Sequence, residues 1–127
     1  MARVLVVDDE PGVRESIRMI LRGECEVATA DSVEAALSAL ADAPADLVLL
    51  DLVMPGRGGF DLLAELSRRR NPPPVLVLTA TRLEETAQEA RARGAADCLR
   101  KPFEVEALRR RVRELLAKRA AETTPPR

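Results

Sequence analysis

Histidine, tryptophan and tyrosine are absent from the 127-residue chain, and phenylalanine occurs only twice. The two cysteines, Cys25 and Cys98, stand far apart rather than in a C-x-x-C pair. Without histidine or paired cysteines the chain has no ligand set of the zinc type, and we expect both cysteines to be reduced thiols. The scarcity of aromatic rings also argues against a surface that stacks bases or sugars.

A charge excess of either sign is missing too, because 20 lysines and arginines face 21 aspartates and glutamates, for a net charge of -1. This balance creates no long-range field that attracts DNA or anionic lipid, so we expect no direct nucleic-acid binding by this chain. The apolar run after Arg3 is too short for a signal peptide or a membrane span. These absences predict a cytoplasmic protein without membrane contact.

Short apolar segments bounded by polar or turn residues recur along the chain and predict β-strands. One of them, Glu26 to Ala30, alternates in the manner of an edge strand. The other four read as buried strands: Arg3 to Val7, Asp46 to Leu50, Pro74 to Thr79 and the weaker Asp97 to Arg100. The segments between the strands carry apolar residues at helical spacing, so strand and helix alternate five times.

Residues typical of helix ends support this alternation of strands and helices. Pro11 and Ser32 suit the starts of helices, and Gly23 and Gly94 suit their ends. Strands that alternate with helices need right-handed crossovers, which build a parallel sheet with helices on both faces. We therefore predict an α/β fold with a doubly wound, five-stranded parallel sheet of order 2-1-3-4-5, the flavodoxin-like (βα)5 arrangement.

The chain length and its 46% of hydrophobic residues fit one domain with one covered core. We place this domain at residues 1–120 and interpret residues 121–127, which end in two prolines and one arginine, as a tail or linker stub. The predicted helix from Leu83 to Arg93 presents alanines inward, at Ala87 and Ala90. It buries less apolar area than a leucine-rich helix, so it is a candidate for the part that moves.

Polar side chains gather at the ends of the predicted strands. In a parallel sheet these ends form one edge, where ligands bind. The residues concerned are Asp8, Asp9 and Glu10 after the first strand, then Asp51, Thr79, and Lys101 with Pro102. Neighbouring carboxylates repel one another, and Mg²⁺, which prefers oxygen ligands and bridges to phosphate, resolves that repulsion. A lysine and a threonine beside it suit a phosphoryl group.

Four motifs in this order resemble the receiver domains of bacterial two-component response regulators, whose fold is called CheY-like. They are L-V-V-D-D-E at 5–10, L-L-D-L-V-M-P-G-R-G-G at 49–59, T-A at 79–80 and K-P-F at 101–103. The resemblance spans about residues 3–118. It implies a phosphorylation-driven switch in which Asp51 accepts a phosphoryl group from a sensor histidine kinase, a phosphotransfer protein or a small phosphodonor.

The same resemblance implies a role for each matching residue. Asp9 and Asp51 are direct Mg²⁺ ligands together with the backbone carbonyl of Val53, and Asp8 holds metal-bound water. Lys101 pairs with the phosphoryl oxygens. The remaining implied features are the Thr79 hydroxyl, which turns to bond the phosphoryl group on activation, and a cis peptide bond between Lys101 and Pro102.

Two positions depart from the family pattern. Cys98 stands where a rotatable aromatic residue is common, so we hypothesise that the switch at Thr79 and Cys98 is muted or is carried by the helix from Leu83 to Arg93. Val53 and Thr81 border the path of the hydrolytic water in the family, and neither is acidic or an amide. Because Val53 offers no group that can position that water, we hypothesise that the aspartyl phosphate is long-lived.

Other interpretations stay open at the level of sequence. Asp8 and Asp9 also suit the cap of the following helix, and Asp51 or Lys101 alone suits a turn. Competing functions are a phosphohydrolase with Asp51 as nucleophile, a pseudo-receiver that only binds proteins, and a dinucleotide-binding domain, which lacks its G-x-G-x-x-G motif here. We expect no turnover of an outside substrate. Expected partners are a sensor histidine kinase or phosphotransfer protein and an output domain or partner protein. The resemblance also allows a second copy that binds through the fourth helix, fifth strand and fifth helix.

Overall fold

The computed structural model describes residues 1–54, 58–80 and 83–123, apart from the side chains of residues 83–85 and 123. Strands and helices alternate along these residues. The strands are β1 (Arg3–Val7), β2 (Glu26–Ala30), β3 (Leu47–Asp51), β4 (Val75–Thr79) and β5 (Asp97–Arg100). The helices are α1 (Pro11–Ile20), α2 (Val33–Asp42), α3 (Gly59–Ser67), α4 (Leu83–Ala92) and α5 (Val105–Thr123).

The five strands form one parallel sheet in the order β2-β1-β3-β4-β5. This confirms the predicted α/β class and the predicted strand order. The chain starts in the middle of the sheet, moves outward to β2, and returns across β1 to reach β3. The strand order therefore reverses between β1 and β3, and their carboxyl ends flank the crevice in which such sheets bind ligands.

Apolar side chains cover both faces of the sheet. On one face, residues of α2, α3 and α4 pack on the strands, with Val33, Leu62 and Ala90 fully buried. On the other face α1 and α5 pack through Ile17 and Leu108. Because β3 and β4 are covered on both sides, every residue in them is buried, including the polar residues at their ends.

The predicted helix boundaries are confirmed where local chemistry determines them. Pro11 opens α1, and the hydroxyl of Ser32 accepts a hydrogen bond from Ala35 N–H at 3.0 Å at the start of α2. Gly23 and Gly94 have positive φ angles of 85° and 109°. Those backbone conformations are ones that glycine adopts without steric cost.

Four elements differ from their predicted boundaries, and one of them is helix α4, which ends at Ala92 rather than at Arg93. Strand β3 runs one residue later than expected and includes Asp51, which pairs in register with Leu78 of β4. Aspartate is rare in strands, so the sequence pattern ended the strand too early. Strand β4 starts one residue late, at Val75. Helix α5 continues to Thr123, three residues into the predicted tail, because residues 120–122 are strong helix formers.

The remaining tail residues, 124–127, lie outside the described residues, as do Pro55 and Thr81. Cys25 and Cys98 are both free, and both are buried. A membrane-crossing helix is not found among the described residues, since none of their helices combines the necessary length with sufficient apolar character.

Candidate functional site at the carboxyl edge of the sheet

The polar residues predicted to converge do so at the ends of four strands. Asp8 follows β1, Asp51 and Thr79 are the last residues of β3 and β4, and Lys101 follows β5. Asp8, Asp51 and Thr79 are buried, with 0%, 5% and 1% of their surface exposed. Burial of this kind is unusual for aspartate and needs compensating partners.

Four carboxylates form one cluster at this edge. One oxygen each from Asp8, Asp9, Glu10 and Asp51 lies within 4.8 Å of the others. Two oxygens on opposite sides of a Mg²⁺ ion stand about 4.2 Å apart, because each lies about 2.1 Å from the metal. The cluster thus has the oxygen chemistry and nearly the dimensions of a magnesium site.

Lys101 supplies positive charge to the same cluster. Its Nζ lies 2.6 Å from Oδ2 of Asp8, 3.5 Å from Oδ2 of Asp51 and 3.7 Å from Oε1 of Glu10. Burial acts to lower the pKa of Lys101, but the hydrogen bond to Asp8 and the charges of Asp51, Asp8 and Glu10 outweigh it. The pKa of Lys101 therefore lies above its ordinary value, and the amine stays charged at neutral pH. The peptide bond from Lys101 to Pro102 is cis.

The Asp51 carboxyl experiences opposing effects. Burial raises its pKa above the ordinary value, and the neighbouring Asp8 acts in the same direction. The hydrogen bond from Val53 N–H to Oδ1, at 3.0 Å, and the charge of Lys101 lower the pKa but do not cancel the burial. Asp51 is thus a buried acid whose charge is not fully compensated by protein groups alone, which favours a bound cation.

Asp8 is held in four directions. Its N–H donates to Ala30 O at 3.1 Å, and its carbonyl accepts from Arg14 at 2.7 Å. Oδ1 accepts from Glu10 N–H at 2.9 Å, and Oδ2 binds Lys101. Both carboxylate oxygens are therefore already engaged, which suits an indirect role toward a metal. Asp8 is not the N-cap residue of α1, which is Glu10, and its side chain accepts from Glu10 N–H rather than from an N–H within the helix.

Gly59, at the start of α3, permits the close approach of that helix to the end of β3. A Cβ atom at this position would lie 2.6 Å from both the Asp51 carbonyl oxygen and the Cα of Leu52. Gly59 N–H donates to Leu52 O at 3.0 Å. The start of α3 therefore lies against the end of β3, and any larger residue at position 59 would displace Asp51.

Thr79 and Cys98 lie on neighbouring strands. The Thr79 carbonyl accepts a hydrogen bond of 2.7 Å from Lys101 N–H, which couples the end of β4 to the lysine. Cys98 is buried in the same apolar cluster as Ala87 and Ala90 of α4. Burial raises the pKa of the Cys98 thiol. A small, protonated, apolar side chain thus occupies the position where the family commonly has a ring.

Glu10 lies at the edge where the sequence analysis placed it: it joins the acidic cluster and faces Lys101. The sequence analysis did not assign a role to one further residue beside the cluster. Arg14 of α1 reaches back to the Asp8 carbonyl. Long helical side chains lean toward the helix N-terminus, and that rule was the available signal for Arg14. Val53 is 66% exposed, so its side chain faces solvent beside the site.

This doubly wound sheet, with a lysine-bearing acidic crevice at its strand reversal, defines a class of α/β domain whose acidic cluster could hold a metal ion. The model of the response regulator receiver domain family matches residues 4–113. The chain therefore belongs to the response regulator receiver domain family.

Individual relatives support this family assignment. The chain is 44% identical over 108 residues to the response regulator protein FleR of Pseudomonas aeruginosa, covering 84% of this chain and 23% of FleR. NtrX from Brucella abortus, solved in complex with ADP, superposes with a TM-score of 0.90 at 34% identity, covering 96% of this chain and 29% of that one. The chemotaxis protein CheY4 of Vibrio cholerae has a TM-score of 0.83 at 32% identity, with 91% and 98% covered. The chain spans about a quarter of FleR and of NtrX.

Proposed function

We propose that this receiver domain is a switch in which Asp51 accepts a phosphoryl group in a Mg²⁺-dependent reaction. The observation that carries the proposal is the joint placement of Asp8, Asp9 and Asp51 in one acidic cluster, with the ammonium of Lys101 beside Asp8 and Asp51. Separate structural demands on single residues do not account for their convergence at the strand reversal.

Mg²⁺ would be held by Asp9, by Asp51 and by the backbone carbonyl of Val53, with Asp8 holding metal-bound water. The partners of Asp8 support its indirect role, because Lys101 and Glu10 N–H already use its two oxygens. Asp9 is more open to solvent than Asp8 or Asp51, and no hydrogen bond or ion pair engages its carboxylate within the described ranges. When bound, the ion supplies the positive charge that shields the oxygens of the transferring group.

Asp51 would act as the nucleophile. Val53 N–H fixes Oδ1 at 3.0 Å and leaves Oδ2 on the side of Lys101. A carboxylate oxygen of Asp51 forms the new bond to phosphorus while the bond from phosphorus to the donor breaks. The chain then contributes mainly position and charge stabilisation, which is how phosphoryl transfer is generally catalysed.

Lys101 and Thr79 would bind the phosphoryl group once it is on Asp51. The ammonium lies 3.5 Å from Asp51 Oδ2 and is near enough to pair with a phosphoryl oxygen there. The Thr79 hydroxyl would turn to donate to another oxygen. Because the Thr79 carbonyl holds Lys101 N–H, movement at one of these residues reaches the other, and the pair carries the change toward α4 and β5.

The phosphodonor would be a sensor histidine kinase or a phosphotransfer protein. The domain would accordingly act in the cytoplasm. A groove of about 540 Å³ lies beside the site between α1 and the start of α5. Its lining includes the apolar residues Val13, Ile20 and Phe103 next to Lys101. We propose that it receives an apolar helix face of the donor, which brings the phosphohistidine to Asp51.

The receiving partner of the signal would be an output domain or a separate protein. Asp97 of β5 forms ion pairs with Arg91 of α4 and Arg111 of α5. This fifth-strand network ties the three elements into one face, and a homodimer through that face is part of the proposal. Comparing sedimentation with and without a beryllium fluoride phosphoryl mimic tests it.

Two other functions are disfavoured. A phosphohydrolase of the aspartyl-phosphate type typically places an acid two residues after the nucleophile, where this chain has the exposed Val53. A pseudo-receiver that only binds proteins has no need of a full set of acids with a lysine. We propose that the chain catalyses only its own phosphorylation and dephosphorylation, so generic phosphate esters should not be hydrolysed.

The test is intact-mass measurement after incubation with acetyl phosphate and Mg²⁺. Wild type should gain one phosphoryl group and Asp51→Asn should gain none. Asp31→Asn is the matched control, since Asp31 is an exposed carboxylate directly after β2 at the same edge of the sheet. That control should be phosphorylated as wild type is. An unmodified wild-type protein would contradict the proposal and favour the pseudo-receiver.

A further inference from the structure

We infer that Arg14 is a positioning residue for the metal site. Its guanidinium holds the peptide plane between Asp8 and Asp9 and thereby aims the Asp9 carboxylate into the acidic cluster. This inference rests on the proposed function, because it gives Asp9 the role of a direct Mg²⁺ ligand. It adds a residue that touches no metal or phosphoryl group itself.

The contact that supports this role is short and charge-assisted. Arg14 is the fourth residue of α1, and its side chain leans toward the helix N-terminus. Nη1 donates to the Asp8 carbonyl oxygen at 2.7 Å, and the side chain is half-buried. An ionised donor makes a hydrogen bond about twice as strong as a neutral one. Arg14 thus ties the first turns of α1 to the end of β1.

The geometry of the peptide unit passes this restraint to Asp9. The carbonyl of Asp8 and the N–H of Asp9 belong to one rigid peptide plane. A restraint on the carbonyl therefore also restrains the direction in which the backbone continues through Asp9. Asp9 has no side-chain partner of its own within residues 1–54, 58–80 and 83–123. Its carboxylate is therefore aimed by the backbone alone, and Arg14 is the side chain that holds that backbone from the helix.

Substitution of Arg14 separates this role from general stability. Methionine matches arginine closely in helix propensity and removes the hydrogen bond. Arg18, one turn further along α1, pairs with Glu15 at 3.6 Å and does not contact the acidic loop. Arg18→Met removes the same charge from the same helix and is the matched control.

Two measurements are made on the whole chain without phosphodonor. Titration calorimetry with MgCl₂ should give a dissociation constant about tenfold higher for Arg14→Met than for wild type, equivalent to about 1.4 kcal/mol. Arg18→Met should stay within about twofold of wild type. In the metal-free protein, the Asp9 amide resonance should shift in Arg14→Met and not in Arg18→Met, because only the first loses the bond to that peptide plane.

The outcomes distinguish this inference from the function on which it rests. A wild-type protein that binds no Mg²⁺ contradicts both. If wild type binds Mg²⁺ and Arg14→Met binds it within twofold, or if Arg18→Met weakens binding equally, the positioning role alone is wrong. Should Arg14→Met fail to fold, Arg14→Lys takes its place. Lysine keeps the charge with a different geometry, so we expect binding about threefold weaker than wild type, and unchanged binding would overturn the inference.

Discussion

Lys101 lies closer to Asp8 than to Asp51. Its Nζ lies 2.6 Å from the Asp8 carboxylate and 3.5 Å from that of Asp51. A phosphoryl group on Asp51 would bring new anionic oxygens within reach of the same ammonium. Under the proposed function the lysine would then be shared between Asp8 and the phosphoryl group, and we expect this change in partners to be the first step by which phosphorylation reaches β5.

Replacing Asp51 with asparagine should stabilise the metal-free protein at pH 7 by about 1 kcal/mol, which raises Tm by about 4 °C. Burial raises the pKa of Asp51, so the ionised form is disfavoured in the folded state. Asparagine keeps an acceptor for Val53 N–H without the charge. Thermal unfolding in EDTA measures the effect, with Asp31→Asn as the control.

The pH dependence of that gain follows from the raised pKa. A carboxyl with a folded pKa above its unfolded value costs stability as pH rises through the folded pKa. The advantage of Asp51→Asn should therefore be complete at neutral pH and should shrink as pH falls toward the ordinary value of 3.8. If the stability advantage of Asp51→Asn increased as pH falls, burial of the ionised Asp51 carboxylate would not be its cause.

Gly59→Ala should destabilise the domain by about 3 kcal/mol, because its Cβ would collide with the backbone of Asp51 and Leu52. Gly12 of α1 provides the contrast, since a Cβ there meets nothing within 4 Å. Gly12→Ala should stabilise by about 0.5 kcal/mol through helix propensity. Urea unfolding of both variants tests the pair, and equal effects would refute the close-approach explanation.

Val53→Asn should shorten the lifetime of the aspartyl phosphate by about tenfold, less than a fully positioned general base supplies. Val53 is 66% exposed beside the site, so an amide there can orient water without disturbing the core. The measurement is loss of phosphoryl mass after acetyl phosphate is removed. Val105→Asn, at another exposed valine, is the control. An unchanged lifetime in Val53→Asn would rule out this hypothesis.

Cys98 should weaken the response of α4 to phosphorylation. A buried thiol packed near Ala87 and Ala90 leaves no ring to rotate into space vacated by Thr79. Beryllium fluoride should therefore move the backbone amide resonances of α4 less than it does in a receiver with an aromatic residue at this position. Equal shifts in the two proteins would show that Cys98 is no handicap.

The fold could be predicted because local patterns and topology agree. Buried runs such as Arg3 to Val7 alternate with helical spacing, and only a parallel sheet accommodates that order. The end of β3 could not be placed, since pairing of Asp51 with β4 outweighs its low strand propensity. The length of α5 was underestimated because helix propensity continues after the apolar period ends.

The convergence of Asp8, Asp51, Thr79 and Lys101 followed from strand order alone, since each ends or follows a strand. The pairing of Lys101 with one particular acid did not follow from the strand order. Which acid lies nearest to Lys101 depends on differences in distance of less than one ångström, and no sequence pattern encodes them. The Arg14 contact depends on a side-chain direction that becomes informative only when the start of α1 is known.

The most direct test of the central claim is to locate the phosphoryl group chemically. After incubation with acetyl phosphate and Mg²⁺, borohydride reduction converts an aspartyl phosphate to homoserine, and peptide mass mapping finds the modified position. We predict homoserine at residue 51 and at no other aspartate, with none formed in EDTA. Homoserine at Asp8 or Asp9, or at no position in the presence of Mg²⁺, would contradict the account.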